Sequence, residues 1–251
     1  MNPENTQDLP QTAIITGAAK RIGAEIAKTL HAAGFKVILH CYKSLLDTQI
    51  LAEKFNNNRS NSSIVIQQDL TQAGNGSIIN AAINWAGNLT LLVNNASMFA
   101  RTRINNLSTD LHLELYAINV LAPWQLSILA RPWLQQTHGC IINITDIHSE
   151  KPLKNYAEYC QSKAALTMQT KALAREFAPD IRVNAVAPGA IMWPTTASNL
   201  VSSAVKTKII QQTPLGRHGS PAAVAQAVLA LSANNFITGQ TLNIDGGRSI
   251  V

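Results

Sequence analysis

Ile14-Ile15-Thr16-Gly17-Ala18-Ala19-Lys20-Arg21-Ile22-Gly23 is the stretch whose reading decides the fold. An apolar, β-rich run, Thr12–Thr16, leads into it, and a helical pattern, Arg21–Ala33, leads out. Gly17 permits a tight turn, and Gly23 lets a helix pack closely on a strand. The helix N-terminus then offers backbone N–H groups to a pyrophosphate, with Lys20, Arg21 and Ile22 in the turn beside it. A lone glycine-rich turn is a weak signal. At the first strand-to-helix junction of an alternating chain it becomes a strong one. Arg21 occupies the place where a middle glycine is usual, and so puts a cation beside phosphates.

The alternation runs the length of the chain. Further strands are expected at Lys36–His40, Ser63–Gln67, Leu89–Val93, Cys140–Asp146, Ile181–Val186 and Thr241–Ile244. Further helices are expected at Leu45–Asn56, Ser77–Trp85, Thr109–Leu134, Tyr156–Phe177 and Pro221–Leu231. Near-continuous Val/Ile/Leu strands separated by helices predict an α/β protein. Its doubly wound parallel sheet of about seven strands is covered on both faces, with ligands at the carboxyl ends of the strands. No repeat, linker or low-complexity stretch divides the chain, so residues 1–251 read as one domain. Residues 1–11 read as a polar tail, and 188–213, with Pro188, Gly189, Trp193 and Pro194, as an irregular substrate loop.

Composition narrows the function. A chain of 251 residues, 46% hydrophobic, buries a substantial core and is not disordered. No apolar run reaches the roughly 18 residues of a membrane span, and MNPENTQDLP lacks a signal-peptide core, so no membrane association is expected. Cys41, Cys140 and Cys160 show no metal-ligand spacing, which predicts a cytoplasmic protein with no metal site. The net charge of +6 is scattered over the chain rather than gathered into a basic run. It points to a polyanionic small molecule and away from nucleic acid.

The ends of the strands carry the candidate site. The second strand runs into His40-Cys41-Tyr42-Lys43-Ser44, where an NAD site would place an acid for the ribose 2′-hydroxyl. The nearest acid, Asp47, lies inside the next helix, while Lys43 and Ser44 offer a cation and a hydroxyl to a 2′-phosphate, so NADPH is expected. Asp69, followed by Leu70, either accepts from an adenine amino group or caps the next helix. After the fourth strand, Asn94 is expected to brace the turn, with Asn95, Ala96, Ser97 and Phe99 at the carboxyl edge. Tyr159 and Lys163 are four apart, one helical turn, so an ammonium shares a face with a phenol and is expected to lower its pKa. Asp146 ends the strand-like run thirteen residues upstream of Tyr159, where a hydroxyl would be commoner; a turn or N-cap residue is the alternative reading.

Together these residues resemble the short-chain dehydrogenase/reductase family, over nearly the whole chain: the Thr16–Gly23 turn, Asn94-Asn95-Ala96, Asn119, the Tyr159/Lys163 pair, Pro188-Gly189 and Asp245-Gly246-Gly247. Arg21, His40-Cys41-Tyr42-Lys43-Ser44 and Asp146 are similar to the pteridine reductases within it. Asn95-Ala96-Ser97-Met98-Phe99 looks like their pterin-stacking segment. Pro188-Gly189-Ala190-Ile191-Met192-Trp193-Pro194 looks like the bacterial branch. The resemblance implies a single Rossmann domain that uses NADPH to reduce a dihydropterin, and possible folate substrates, to the tetrahydro form. Tyr159 would donate the proton, Lys163 would hold the nicotinamide ribose and tune Tyr159, and Asp146 would orient Tyr159 and join the proton relay. Asn119 would position Lys163 through water, Phe99 would stack on the pterin, and Arg21 and Ser97 would contact pterin and phosphates. The remaining cofactor contacts would be Gly17, Lys20, Ile22, Lys43, Ser44, Asp69, Leu70, Asn95, Ala96, Pro188 and Gly189, with Met192 and Trp193 against the substrate.

The chemistry of Asp146 points the same way. A ketone reductase stabilises a developing alkoxide, which an ionised Asp146 would repel; a pterin needs a proton at a ring nitrogen, which an acid beside Tyr159 can relay. The alternatives are a carbonyl or 3-oxoacyl reductase of the same family and a cofactor-sensing protein without catalysis. An excess of apolar residues over Thr109–Leu134 suggests a covered second face, and the resemblance implies a homotetramer. Whether Gly247–Val251 reaches a neighbour's pocket is open at this point.

Overall fold

Thr12–Ile15 (β1) is buried at every residue and pairs in parallel with Lys36–Cys41 (β2) on one side and Leu91–Asn94 (β4) on the other. The computed structural model describes residues 10–72, 74–102, 105, 108–193 and 202–251. Ser63–Gln67 (β3), Cys140–Ile144 (β5), Arg182–Pro188 (β6) and Thr241–Ile244 (β7) complete a parallel sheet in the order β3-β2-β1-β4-β5-β6-β7. The chain therefore winds outward from β1 to β3, returns to β1's other side, and winds outward again. That reversal opens a crevice at the carboxyl ends of β1 and β4, the place where doubly wound sheets bind ligands.

Two apolar layers hold the helices. Arg21–Ala32 (α1), Leu45–Asn58 (α2) and Pro221–Ala233 (α8) bury Ile26, Leu30, Leu51, Phe55, Val224 and Val228 against one face. Gly76–Ala86 (α3), Ala122–Gln136 (α5) and Ala157–Phe177 (α6) bury Ile78, Ile79, Leu126, Leu134, Leu173 and Phe177 against the other. Strand residues alternate between the layers: Ile15 and Val37 join the first, Ile14 and Ile38 the second. The three cysteines are free.

Three elements differ from the sequence expectation. The helix expected over Thr109–Leu134 is Thr109–Tyr116 (α4), a π-helical turn Ala117–Leu121, and α5. Pro123 has no N–H to give the carbonyl of Asn119, so the regular ladder cannot pass that point; the Ala122 N–H bonds Ala117 O instead. This 28-residue run is also, by length and composition, the one described segment apolar enough to cross a membrane, an exception to the reading that no run reaches that length. One side of it lies in the core, with Leu115, Leu126, Ala130 and Leu134 buried, while Leu113, Leu121, Trp124, Ile128 and Leu129 are exposed. Within the expected loop 188–213 lies a helix, Ser203–Gln211 (α7), capped by the Ser202 hydroxyl, which accepts from the Val205 N–H. Its weak amphipathicity left no signal to assign it. Pro194, with residues 194–201, falls outside the described residues, as do residues 1–9 of the polar tail. Finally, β5 stops at Ile144, and Asp146 caps a single 3-10 turn, Ile147–Ser149.

Candidate active site

The glycine turn is clamped from two sides. The Thr16 hydroxyl accepts from the Asn95 and Ala96 N–H groups, both at 2.9 Å, and the Asn95 amide donates to Thr16 O at 2.8 Å and Gly17 O at 3.1 Å. Asn95 thus does the bracing expected of Asn94, whose side chain instead turns inward and donates to Asn143 Oδ1 at 2.8 Å. A Cβ on Gly23 would fall 2.2 Å from Gly17 O, so only glycine lets α1 approach the turn this closely. Arg21 keeps the left-handed backbone of the glycine it replaces, at φ 56°, a conformation costly for a side-chain-bearing residue and typical of functional turns.

From the other side His40 reaches across. Its Nδ1 accepts the Gly17 N–H at 3.2 Å, and its Nε2 faces Gln68 O at 3.0 Å, so Nε2 carries the proton. Burial pulls the pKa of His40 down, more than the Gln68 carbonyl and Asp69 raise it, which keeps the ring neutral and Nδ1 an acceptor. The sequence showed His40 without a role, because its partners lie 23 and 28 residues away.

Beyond the turn, the walls are polar and exposed. Lys20 pairs with Asp47 at 2.9 Å, so the nearest acid to the ribose end is tied to a cation. Lys43 lies 5.1 Å over the Tyr42 ring. Ser44 caps α2 without using its hydroxyl, which stays free for a ligand. Asp69 accepts from the Thr71 N–H and hydroxyl, at 2.9 and 2.8 Å, and these bonds hold its carboxyl below the usual range. It does not cap the next helix, since α3 begins after Asn75. Leu70, 5% exposed, supplies an apolar patch.

At the carboxyl end of β5, the expected trio comes together. Tyr159 donates its hydroxyl proton to Asp146 Oδ2 at 2.7 Å, and Asp146 Oδ1 accepts from the His148 N–H at 2.8 Å. The carboxylate therefore both caps a turn and orients the phenol, joining the two readings the sequence left open. Lys163 Nζ donates to Ile144 O at 2.9 Å and sits 5.9 Å from the Tyr159 ring centre. The expected lowering of the Tyr159 pKa does not occur in this state: burial first, then the Asp146 charge, push it well above its ordinary value. Burial also pulls Lys163 down to about 8, against the raising effect of Asp146.

Asn119, fully buried in the π turn, connects this cluster to the β4 loop. Its Oδ1 accepts from Ser97 Oγ at 3.0 Å and the Met98 N–H at 2.8 Å, and its Nδ2 donates to Met98 O at 3.0 Å and Ser162 Oγ at 2.9 Å. Its direct partners are thus Ser97, Met98 and Ser162. Phe99 stacks on Tyr156, centres 4.6 Å apart, and stands edge-on to Tyr159 at 4.7 Å. Tyr156, three residues before Tyr159, went unnoticed in the sequence because it read only as a helix start.

These residues surround one cavity of about 1350 Å³. Its walls include Gly17, Arg21, Lys43, Asp69, Ser97, Phe99, Asp146, Tyr159, Gly189, Met192 and Trp193. Lys163, Asn119 and Pro188 stand behind those walls. Gly189 is pressed against Asp245, whose Cβ a side chain there would meet at 2.6 Å. Trp193 is held by His218, 4.3 Å between ring centres, and its carbonyl accepts from Arg21 at 3.5 Å. A single ligand pocket runs to roughly 1,000 Å³, so the cavity has room for a dinucleotide and a second molecule. The donor set fits NADPH: α1 opens with no side chain capping its first N–H groups, the glycines leave a cradle, and Lys43 and Ser44 stand at the ribose end.

A family model described as Enoyl-(Acyl carrier protein) reductase matches residues 17–249. Pteridine reductase 1 of Leishmania tarentolae is 31% identical, covering 98% of this chain and 98% of its own. The 3-oxoacyl-[acyl-carrier-protein] reductase of Rickettsia prowazekii is 35% identical, covering 96% and 98%. Among solved structures, alternative dihydrofolate reductase 1 (FolM) of Brucella suis, in complex with NADP, superposes with a TM-score of 0.89 at 31% identity, covering 97% of this chain and 96% of that one.

Proposed function

The chain belongs to the short-chain dehydrogenase/reductase family and is an oxidoreductase using NADPH, and we propose that its substrate is a pterin, reduced from the dihydro to the tetrahydro level. The observation that carries this reading is the 2.7 Å bond from the Tyr159 hydroxyl to Asp146 Oδ2. Similarity to pteridine reductase 1 and to alternative dihydrofolate reductase 1 supports it.

Bound NADPH would supply a hydride for a ring carbon of the substrate. Tyr159 supplies the proton to the adjacent ring nitrogen. Its raised pKa keeps the phenol protonated until that moment, so it acts as a donor and is not stored as phenolate. Asp146, which accepts at both oxygens while ionised, would take a proton from solvent water and pass it to the phenolate that the transfer leaves on Tyr159, completing the cycle. Phe99, backed by Tyr156, gives the flat ring an apolar wall. Lys163, Asn119 and Ser162 hold the floor of the site. Lys43 and Ser44 take the 2′-phosphate. A stripe of Leu121, Trp124, Ile128, Leu129 and Met168, between 41% and 63% exposed, supports assembly into a homotetramer. The free cysteines agree with a cytoplasmic setting.

The second reading is a carbonyl or 3-oxoacyl reductase, favoured by the 35% identity to 3-oxoacyl-[acyl-carrier-protein] reductase. Asp146→Ser separates the two. In a pterin reductase it lowers kcat about a hundredfold by removing the relay. In a carbonyl reductase a serine is tolerated or improves the rate. NADPH oxidation with dihydrobiopterin or dihydrofolate is the direct assay; turnover of a β-ketoester with neither pterin consumed sinks the first reading.

A further inference from the structure

We propose that Arg248 is a specificity-determining residue whose guanidinium receives an anionic group carried beyond the reacting ring, on a pterin the terminal carboxylate of a folate tail. The proposal rests on the pterin reading and names the substrate within it.

Arg248 begins the final turn, Arg248–Ile250, and lines the large cavity. Its backbone is anchored independently of any ligand. Asp245 accepts from the Gly247 and Ser249 N–H groups at 2.9 and 2.7 Å, and Lys151 Nζ donates to Arg248 O at 2.9 Å and to Val251 O. Lys151 O in turn meets His148 Nδ1 at 2.7 Å, and the His148 N–H is the one that holds Asp146. This run of bonds places Arg248 on the Asp146 side of the cavity. Within the subunit, Lys151 ties the C-terminal segment through Arg248 O and Val251 O.

The side chain itself is underused. NH1 donates to Ile209 O, near the end of α7, at 2.9 Å. Among the described residues the two ion pairs are Lys20–Asp47 and Lys28–Glu25, so no carboxylate pairs with Arg248. Asp245, the acid that acts on its charge, already accepts two backbone N–H groups. A guanidinium with donors to spare on a cavity wall binds a carboxylate in a paired, planar fashion that a neutral tail cannot match. A thioester on a phosphopantetheine arm would present a phosphate instead, and the two sources separate by assay.

The test compares Arg248→Gln with the unaltered protein. Glutamine removes the charge with a shorter side chain, so Arg248→Lys, which keeps a long donor toward Ile209 O, is measured beside it. Specificity constants are measured for dihydrofolate against dihydrobiopterin, whose tail is uncharged, and for acetoacetyl-CoA against a neutral acetoacetyl thioester of N-acetylcysteamine. Arg248→Gln is expected to lower kcat/KM for dihydrofolate about tenfold more than for dihydrobiopterin, with Arg248→Lys in between. Equal loss on both members of every pair makes Arg248 a tie to α7 alone and overturns the proposal. Discrimination confined to the thioester pair, with no pterin turned over, refutes the pterin reading and the folate assignment but keeps the anion site. Thermal unfolding of both variants separates any folding defect from these outcomes.

Discussion

At the reaction end of the cavity, Tyr159, Lys163 and Asn119 are each 4% exposed or less, and their polar side-chain groups all have protein partners. At the end proposed for the adenosine, the Lys20 and Asp47 side chains are 58% and 49% exposed, Tyr42 is 49% exposed, and the Ser44 hydroxyl caps nothing. The two ends meet at the glycine turn, where Asn95 and His40 clamp one backbone. The contrast fits the work proposed for each end. Moving a proton requires fixed distances and a dry setting, and here each polar side chain already has a protein partner before a ligand arrives. Holding a phosphate requires charge of one sign on a surface, and exposed cations suffice there because the ligand itself completes the pairs. Substitutions at the first end should therefore be severe and cooperative, and at the second mild and separable.

The largest expected effect is at Tyr159. Tyr159→Phe keeps the ring against Phe99 but removes the proton and leaves Asp146 Oδ2 unpaired, so single-turnover NADPH oxidation should fall about a thousandfold while NADPH binding persists. A variant keeping more than a tenth of the rate would break the picture of a reaction end built around the phenol. Next comes pH. Lys163 has a pKa pulled down to about 8, so its ammonium is present below that value and lost above it. NADPH affinity should weaken about tenfold between pH 7 and 9, the loss of one charge-assisted contact, and Lys163→Met should flatten the profile. Because the folded pKa lies below the ordinary lysine value of 10.5, the unliganded protein should gain stability as pH rises from about 8, where the burial cost begins to lift. A level affinity profile across that range would show that the charge of Lys163 is not used. The smallest effect belongs to the exposed end. Lys43→Ala should narrow the preference for NADPH over NADH by about fivefold, the size of one exposed charge contact of ~1 kcal/mol, in a steady-state comparison of the two cofactors. A hundredfold change there would mean that Lys43 is buried by the ligand, and the two ends would no longer contrast.

The same divide governs what the sequence disclosed. The Tyr159/Lys163 pair is visible because helical spacing turns a separation of four into a shared face. The seven strands are visible because a sheet buried on both sides leaves unbroken apolar runs. Asn94 and Asn95 were exchanged because neighbouring residues at a strand end face opposite ways. Which of them faces the turn depends on where β4 stops, one residue beyond the expected end. The direction of the Tyr159 shift was hidden for a related reason. Spacing put Lys163 near the phenol, but only the folded loop shows Asp146 at 2.7 Å and the ammonium turned toward Ile144. His40, Tyr156 and Arg248 act through partners distant in sequence, or through a cavity, and left no local pattern.

The π turn at Ala117–Leu121 has a consequence for how this helix tolerates change. It decouples the aim of two helical halves: Leu113 and Glu114 of α4, with Ala117 and Ile118, face the cavity, while α5 packs Leu126, Ala130 and Leu134 into the core. Each residue in an α-helix advances the direction of its side chains by about 100°. Removing a single residue from the turn would swing all of α4 by about that angle relative to α5, carrying Asn119's neighbours off the wall. For this segment the length of the chain, more than the identity of its side chains, sets the shape of the pocket.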